Sequence, residues 1–398
     1  MHGNTDQPRP AAAGEHAGAF SVEWDHRLIT TRDALSPGND VLANLLPAEE
    51  GPSRMVACLD QGLVDAHPEL PAQIELWAEA NTHLVRLMGQ VVTLPGGEEA
   101  KNDFNVFNEA ARVINDRGIC RKSFVLAAGG GALLDAVGFA ASSAHRGVRV
   151  IRMPSTTLSQ GDAGVGVKNG INAFGKKNFL GTFSPPWAVV NDSNLLMSLS
   201  DRDWRSGLSE AVKVALLKDA SFFEELRRLA GRTRTRDLDA MEGIVQHSAH
   251  LHMKHIIEGG DPFELSTARP LDFGHWSAHK LEQMSGFDLK HGEAVAIGLV
   301  IDMTYAAMIG CLDEAVLKSA RCCLLDMGFT LDHEALGNQE VLLEGLREFR
   351  EHLGGQLTIT LVQGIGEPLD VHEIDLTVMR RAIDDVRSVA LNESSRVG

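Results

Sequence analysis

The stretch RPLDFGHWSAHKLE, residues 269–282, places His275 and His279 four residues apart, and LKHGEAVAIG follows with His291. On a helix the first two share one face. Imidazoles so placed can bind a metal, exchange protons near neutral pH, or sit on a helix surface without function. Upstream, SDRDWRSGLSEAVKVALLKDASFF opens with Ser200 or Asp201 as a helix N-cap. From Leu208 to Leu217 it is apolar almost all round, with Ser209, Glu210 and Lys213 as the exceptions. A surface Glu–Lys pair at that spacing contributes about 0.5 kcal/mol at most. The apolar flanks instead describe an enclosed helix whose polar stripe, Glu210 and Lys213, faces a cavity, because buried charges are paired or bound to metal. QHSAHLHMKH adds His247, His250, His252 and His255, which scatter around a helix and so make no four-histidine metal site. Lys254 falls on the inner face with His247 and His250.

Two further stretches suit phosphate. STTLSQGDAGVGVKNGINAFGKKNFLGTFSPP (155–186) reads as an irregular loop carrying Lys168, Asn172, Lys176, Lys177 and Asn178 among small residues. With a net charge of −17, the chain must hold any anionic ligand by such a local group of cations, and nucleic acid is excluded as a partner. KSFVLAAGGGALLDAVGFAAS reads as strand, glycine turn and helix. Its three glycines let backbone approach a pyrophosphate, and the amides opening the helix can bind it. It is neither GxGxxG nor a Walker motif. Asp60, closing the earlier strand SRMVACLD, could accept from a ribose hydroxyl, yet it precedes the glycines, whereas the usual dinucleotide fold puts that acid about 20 residues after them.

The elements that must position these groups divide in two. SRMVACLD, HLVRLMGQVVTLPGG, KSFVLAAGGG, GVRVIRMPSTT and PPWAVVND are apolar runs between helical patterns, which predicts a mostly parallel sheet covered on both faces. Beyond residue 200 the patterns are helical, over 201–229, 236–258, 273–285, 291–310 and 313–327, with one late β-like run, GQLTITLVQGIG. The expected organisation is a flexible tail over 1–20, an α/β domain over 21–199 and a mainly helical domain over 200–398. Five cysteines without a CxxC pair read as reduced thiols of a cytoplasmic protein, and neither a signal peptide nor a continuous membrane-length apolar run is legible.

Together these segments resemble the sugar phosphate cyclases, the family of dehydroquinate synthase, from about residue 50 to 365. PGGEEAKN is similar to the family's PGE-x-x-K segment, which implies Glu98 and Lys101 at the adenosine end of NAD. GGGALLD resembles its GGG-x-x-x-D turn, implying Gly130, Gly131 and Asp135 as cofactor contacts, with Asp60 and Ser198 beside them. PSTTLSQGDAGVGVK resembles the PTTL…D…K loop, implying Ser155 and Thr156 on NAD and Asp162 and Lys168 near the reacting sugar. KKNFLG implies Lys177 on NAD and Asn178 on the substrate phosphate, and Arg146 matches an arginine that the family extends across a homodimer interface to that phosphate. The resemblance also implies a catalytic Zn²⁺, or Co²⁺, on Glu210, His275 and His291, with His279 as an acid–base group. Glu264, Lys213 and Lys254 match further active-site positions. The implied fold is an α/β NAD-binding domain joined to a helical metal-binding domain. The implied reaction is transient oxidation of a sugar phosphate by NAD, β-elimination of phosphate, return of the hydride and an intramolecular aldol closure.

The chain departs from dehydroquinate synthase where that enzyme has R-x-x-x-NFGH. Ala268 takes the place of the arginine that helps hold a substrate carboxylate, Arg269 comes one position late, and Asp272 replaces asparagine. FREHLGGQLTITL lacks the lysine pair expected before the last strand. Loss of these cations points to a substrate without a carboxylate. RPLDFGH and REHLGG resemble the 2-epi-5-epi-valiolone synthase side of the family, which cyclises sedoheptulose 7-phosphate, while His279 within DFGHWSAHKLE is closer to the EboD-type branch. The alternatives are a deoxy-heptulosonate phosphate as substrate, a metal- and NAD-dependent polyol dehydrogenase, and a scaffold protein without catalysis.

Overall fold

A computed structural model describes residues 18, 21–47, 51–102, 104–174, 176–259, 270–352 and 357–394. Seven strands form one sheet: β1 (Leu28–Thr31), β2 (Ser53–Asp60), β3 (Val85–Leu87), β4 (Val92–Leu94), β5 (Phe124–Gly129), β6 (Arg149–Pro154) and β9 (Ala188–Asp192). Their order is β1–β9–β6–β5–β2–β3, with β4 pairing farther along β2, and every pairing is parallel. Along β2, Met55, Ala57 and Leu59 enter one hydrophobic core while Val56 and Cys58 enter the other. A parallel strand covered on both faces must be apolar at both phases, which is why these runs show no polar alternation. Helices α1 (Gln61–Ala66) and α2 (Leu70–Ala80), then α3 (Asn105–Asp116) and α4 (Gly131–Ser143), follow the strands.

The rest is helical: α5 (Asp201–Lys218), α6 (Ala220–Arg234), α7 (Leu238–Gly259), α8 (His275–Met284), α9 (His291–Met308), α10 (Glu314–Asp326), α11 (Gln339–His352) and α12 (Leu376–Ser394), with one antiparallel hairpin, β10 (Ile359–Gly364) and β11 (Glu367–Val371). α9 is buried along almost its whole length, so its neighbours pack around it as a central helix. The helical pattern over 201–229 is broken once. Asp219 leaves helical geometry and its Oδ1 accepts from the amides of Ser221 (2.9 Å) and Phe222 (3.0 Å), capping α6.

The lysine-rich segment, expected as an irregular loop, is instead largely regular. Residues Ser159–Ala163 form a single π-helical turn, and β7 (Lys168–Ala173) and β8 (Lys176–Phe183) pair as an antiparallel hairpin. Glycines that suggest a loop here serve close pairing: a Cβ on Gly181 would lie 2.3 Å from the Asn169 carbonyl oxygen. Buried Arg152 fixes the approach to the hairpin, donating to the carbonyls of Gly164 (3.0 Å) and Gly166 (2.6 Å) and to Asn169 Oδ1 (2.6 Å). Apart from Gly18, the expected 1–20 tail lies outside the described residues. No described helix is long and apolar enough to cross a membrane.

Candidate active site

Glu210 on α5, His275 opening α8 and His291 opening α9 converge. Glu210 Oε1 lies 3.3 Å from Nε2 of each histidine. Glycines make the convergence possible: Gly274 turns into α8 at φ +78°, and a Cβ on Gly292 would lie 2.0 Å from the Ser206 carbonyl oxygen on α5. His275 Nδ1 donates to the Phe273 carbonyl at 3.0 Å, which directs the Nε2 lone pair at Glu210. Burial disfavours a charged His291, but the carboxylates of Glu210 and Glu282 outweigh it and raise the ring to about 10. Two imidazole nitrogens and a buried carboxylate therefore meet at one point that demands a cation. These donor types, close enough to share one ion, suit Zn²⁺ or Co²⁺.

Around this trio lies a continuous polar cluster. Lys213 is buried and ion-paired to Glu210; burial opposes its charge, but Glu210 and Asp162 hold its pKa above the usual lysine range. Asp162, in the π-helical turn, pairs with His252 at 2.9 Å. Asp272, half-buried before α8, lies close enough to Lys213 to support its charge. His279 stands on α8 at the open side, its ring centre 5.4 Å from that of His275 and 6.0 Å from that of His291.

The expected inward position of Lys254 is not observed. Lys254 is exposed, 3.9 Å from Glu258, and the inward face of α7 carries Ser248, which donates to the Gly161 carbonyl, and His252. The apolar residues Met241, Ile244 and Val245 set the phase of this helix, and extending their stripe by one and two turns reaches Ser248 and His252.

A second group lines the carboxyl ends of the strands, where open parallel sheets bind ligands. Asp60 is buried there. Its Oδ1 accepts from Gly62 N at 2.8 Å, and a Cβ on Gly96 or Gly129 would collide with its side chain. Ser155 N donates to the Gly129 carbonyl at 2.9 Å, which sets Ser155 and Thr156 beside the Gly130–Gly131 turn. Gly130 caps α4 without a side chain, leaving its first amides open to an anion. Lys101 is buried and paired to Asp135 at 2.7 Å, and Lys177 lies 3.8 Å from Glu98. Asn172 Nδ2 donates to Glu98 at 3.4 Å, and its Oδ1 accepts from Asn178 N at 2.9 Å. Lys168 is exposed at the start of β7. Ser198 is exposed too, its Oγ 2.8 Å from His67 Nε2.

Arg146 is not brought to either group. It lies in the turn before β6, at the amino end of the sheet, and lines a cavity of about 580 Å³ with Cys120, Arg121, Lys122 and His145. Glu264 and Arg269 lie outside the described residues.

Residues 91–206 match the sequence profile described as 3-dehydroquinate synthase N-terminal, and residues 207–348 the one described as 3-dehydroquinate synthase C-terminal. The chain belongs to the 3-dehydroquinate synthase family. It is 35% identical to the 3-dehydroquinate synthase of Dictyoglomus thermophilum over 278 residues, 70% of this chain and 77% of the relative. It is 33% identical to the 2-epi-5-epi-valiolone synthase of Streptomyces glaucescens over 378 residues, 93% of this chain and 94% of the relative. A solved 2-epi-5-epi-valiolone synthase from Streptomyces hygroscopicus subsp. jinggangensis, with NAD⁺ and Zn²⁺ bound, superimposes with a TM-score of 0.83 at 26% identity, covering 94% of this chain and 99% of that one.

The seam between the two 3-dehydroquinate synthase family profiles falls within α5, and here the sheet and the helical part are in backbone contact. A Cβ on Gly207 would lie 2.4 Å from the Thr157 carbonyl carbon, and Thr157 Oγ1 accepts from Gly207 N at 3.1 Å. Three buried side chains that support this site were not anticipated: His252, Glu282 and Asp302. Asp302, fully buried on α9, accepts from Trp276 Nε1 at 2.8 Å and Gly274 N at 3.0 Å, holding the turn that presents His275. Its signal was a lone acid inside the apolar run AVAIGLVIDMTYAAM. Asp302→Ala leaves both donors buried without acceptors, so a loss of about 2–6 kcal/mol is expected. Thermal unfolding of the metal-free protein measures it; an unchanged midpoint would show that the turn does not depend on Asp302.

Proposed function

We propose that this chain is a NAD- and metal-dependent sugar phosphate cyclase of the 3-dehydroquinate synthase family that converts a C7 ketose phosphate, sedoheptulose 7-phosphate, to a carbocycle such as 2-epi-5-epi-valiolone. The observation that carries the cyclase reading is the Glu210–His275–His291 convergence beside an intact glycine-turn cleft. The substrate reading is supported by Ala268 in place of the arginine that helps hold a carboxylate. It is also supported by similarity over 93% of the chain to a 2-epi-5-epi-valiolone synthase, against coverage of up to 75% with the 3-dehydroquinate synthases compared.

Glu210, His275 and His291 would hold the metal, and the strand ends from Asp60 to Thr156, with Glu98, Lys101, Asp135 and Lys177, would hold NAD. When bound, the metal supplies Lewis acidity toward a sugar oxygen and NAD a reversible hydride acceptor. Lys213, kept charged by Glu210 and Asp162, stabilises negative charge on the oxygen of the carbinol whose carbon is oxidised. His279, on the open side of the trio, exchanges the proton at the carbon next to the new ketone. Lys168 and Asn178 on the hairpin orient the leaving phosphate. Arg146 serves the site of a partner subunit, because within its own chain it lies at the far end of the sheet. Phe174, Phe179 and Phe183 leave the hairpin with an exposed apolar face that a homodimer can cover. The exposed Lys254 has no role in this scheme.

A cyclase returns its hydride, whereas a polyol dehydrogenase accumulates NADH. With metal and NAD present and a sugar phosphate turning over, phosphate release without net NADH is expected. NADH formed in step with substrate consumed would favour the dehydrogenase.

A further inference from the structure

We infer that Glu282 is a positioning residue for the metal site, orienting His291 toward the ion; the inference rests on the metal reading of Glu210, His275 and His291 above. His275, His279 and Glu282 follow one another along a single face of α8. Glu282 is 5% exposed, and its Oε2 lies 3.4 Å from His291 Nδ1, while His291 Nε2 faces Glu210 at 3.3 Å. A carboxylate that accepts from Nδ1–H leaves the Nε2 lone pair as the only free donor of the ring and raises its basicity. His275 gains the same restraint from the Phe273 carbonyl. For His291 the acceptor comes from α8. The second oxygen of Glu282 lies 3.7 Å from Lys177 Nζ. This cation, drawn from the β7–β8 hairpin, balances the buried charge of Glu282. Lys177 is itself anchored over the Phe287 ring at 5.1 Å.

A different role is open to the same atoms. His279, Glu282 and His291 also lie close enough to share an ion, which would make Glu282 a ligand rather than a positioning group. The test uses the full-length protein, stripped of metal and reloaded with Zn²⁺. Zinc stoichiometry, and zinc loss into an excess of a chromogenic chelator, are measured for wild type, Glu282→Gln and Glu282→Leu. The expected wild type binds a single equivalent. Glu282→Leu keeps that equivalent but holds it about 10–100-fold more weakly, and Glu282→Gln, which retains an acceptor oxygen for His291 Nδ1–H, falls between. If the Leu variant does not fold, the Gln variant carries the test, with weaker zinc at an unchanged metal-free unfolding temperature as the expected result. Zinc affinity equal to wild type in either variant overturns the inference. So does a wild type that binds two equivalents of which Glu282→Leu loses one, since Glu282 would then be a ligand. A wild type that binds no zinc removes the metal reading itself and this inference with it.

Discussion

His275→Ala is expected to lose both bound zinc and turnover, whereas His279→Ala keeps its zinc and loses turnover by about 10²–10⁴, the range of a general acid–base group. The two histidines sit one turn apart on α8, so their difference is one of direction. His275 Nε2 faces Glu210 Oε1 at 3.3 Å with Nδ1 tied to the Phe273 carbonyl, a geometry that fits a ligand. Among the described residues His279 makes no hydrogen bond or ion pair with Glu210; it lies on the open side of the trio and is exposed. Truncating His275 leaves two donors and the buried ion pair of Glu210 with Lys213, which then compensates the glutamate internally. Elemental analysis of the dialysed variants, beside their turnover, separates the roles. A His279→Ala protein without zinc would mean that the ion sits on the His279–Glu282–His291 side instead.

The second large effect is a rescue. Arg146→Ala alone and His275→Ala alone are each expected to be inactive, yet dimers mixed from the two should regain turnover in about half of their sites, as expected for a two-fold assembly. Each mixed dimer contains one site with an intact metal trio from the Arg146→Ala chain and an intact arginine from the His275→Ala chain. Arg146 precedes β6 at the amino end of the sheet, while Gly129 and Ser155 lie at the carboxyl end, where Thr157 meets the helix α5 that carries Glu210. Within one chain the two lie apart, so in the proposed homodimer the partner's arginine completes the site. Co-expression with two affinity tags isolates the mixed species. No recovery in mixed dimers, with the single variants dead, would mean that Arg146 does not act across an interface.

Much of this site was legible because its chemistry interrupts simple patterns. Glu210 and Lys213 stand out as charges in an otherwise apolar helix, and they prove buried and paired. The run from KSFVLAAGGG into α4 folds as strand, glycine turn and helix because three glycines in succession suit little else. Asp60 sits beside those glycines in space although it precedes them in sequence, since β2 and β5 are neighbours in the sheet. The metal roles of His275 and His291, by contrast, rest on family resemblance; spacing alone leaves a ligand pair, an acid–base pair and a bland surface open. The β7–β8 hairpin was hidden because its glycines and lysines mask strand alternation. Lys254 faces outward because Met241, Ile244 and Val245, rather than the histidines, set the phase of α7. Asp302 and Glu282 were visible as letters, but their value lies in partners on other helices, which no local pattern reveals.

The most direct measurement is incubation of the zinc-loaded protein and NAD with sedoheptulose 7-phosphate, and in parallel with a deoxy-heptulosonate phosphate, following released phosphate and product mass. One phosphate per ketose consumed and a C7 cyclitol product are expected, with the acid left unchanged. Turnover of the acid alone would contradict this, placing the chain with the 3-dehydroquinate synthases and giving Arg269 the carboxylate contact that Ala268 cannot make.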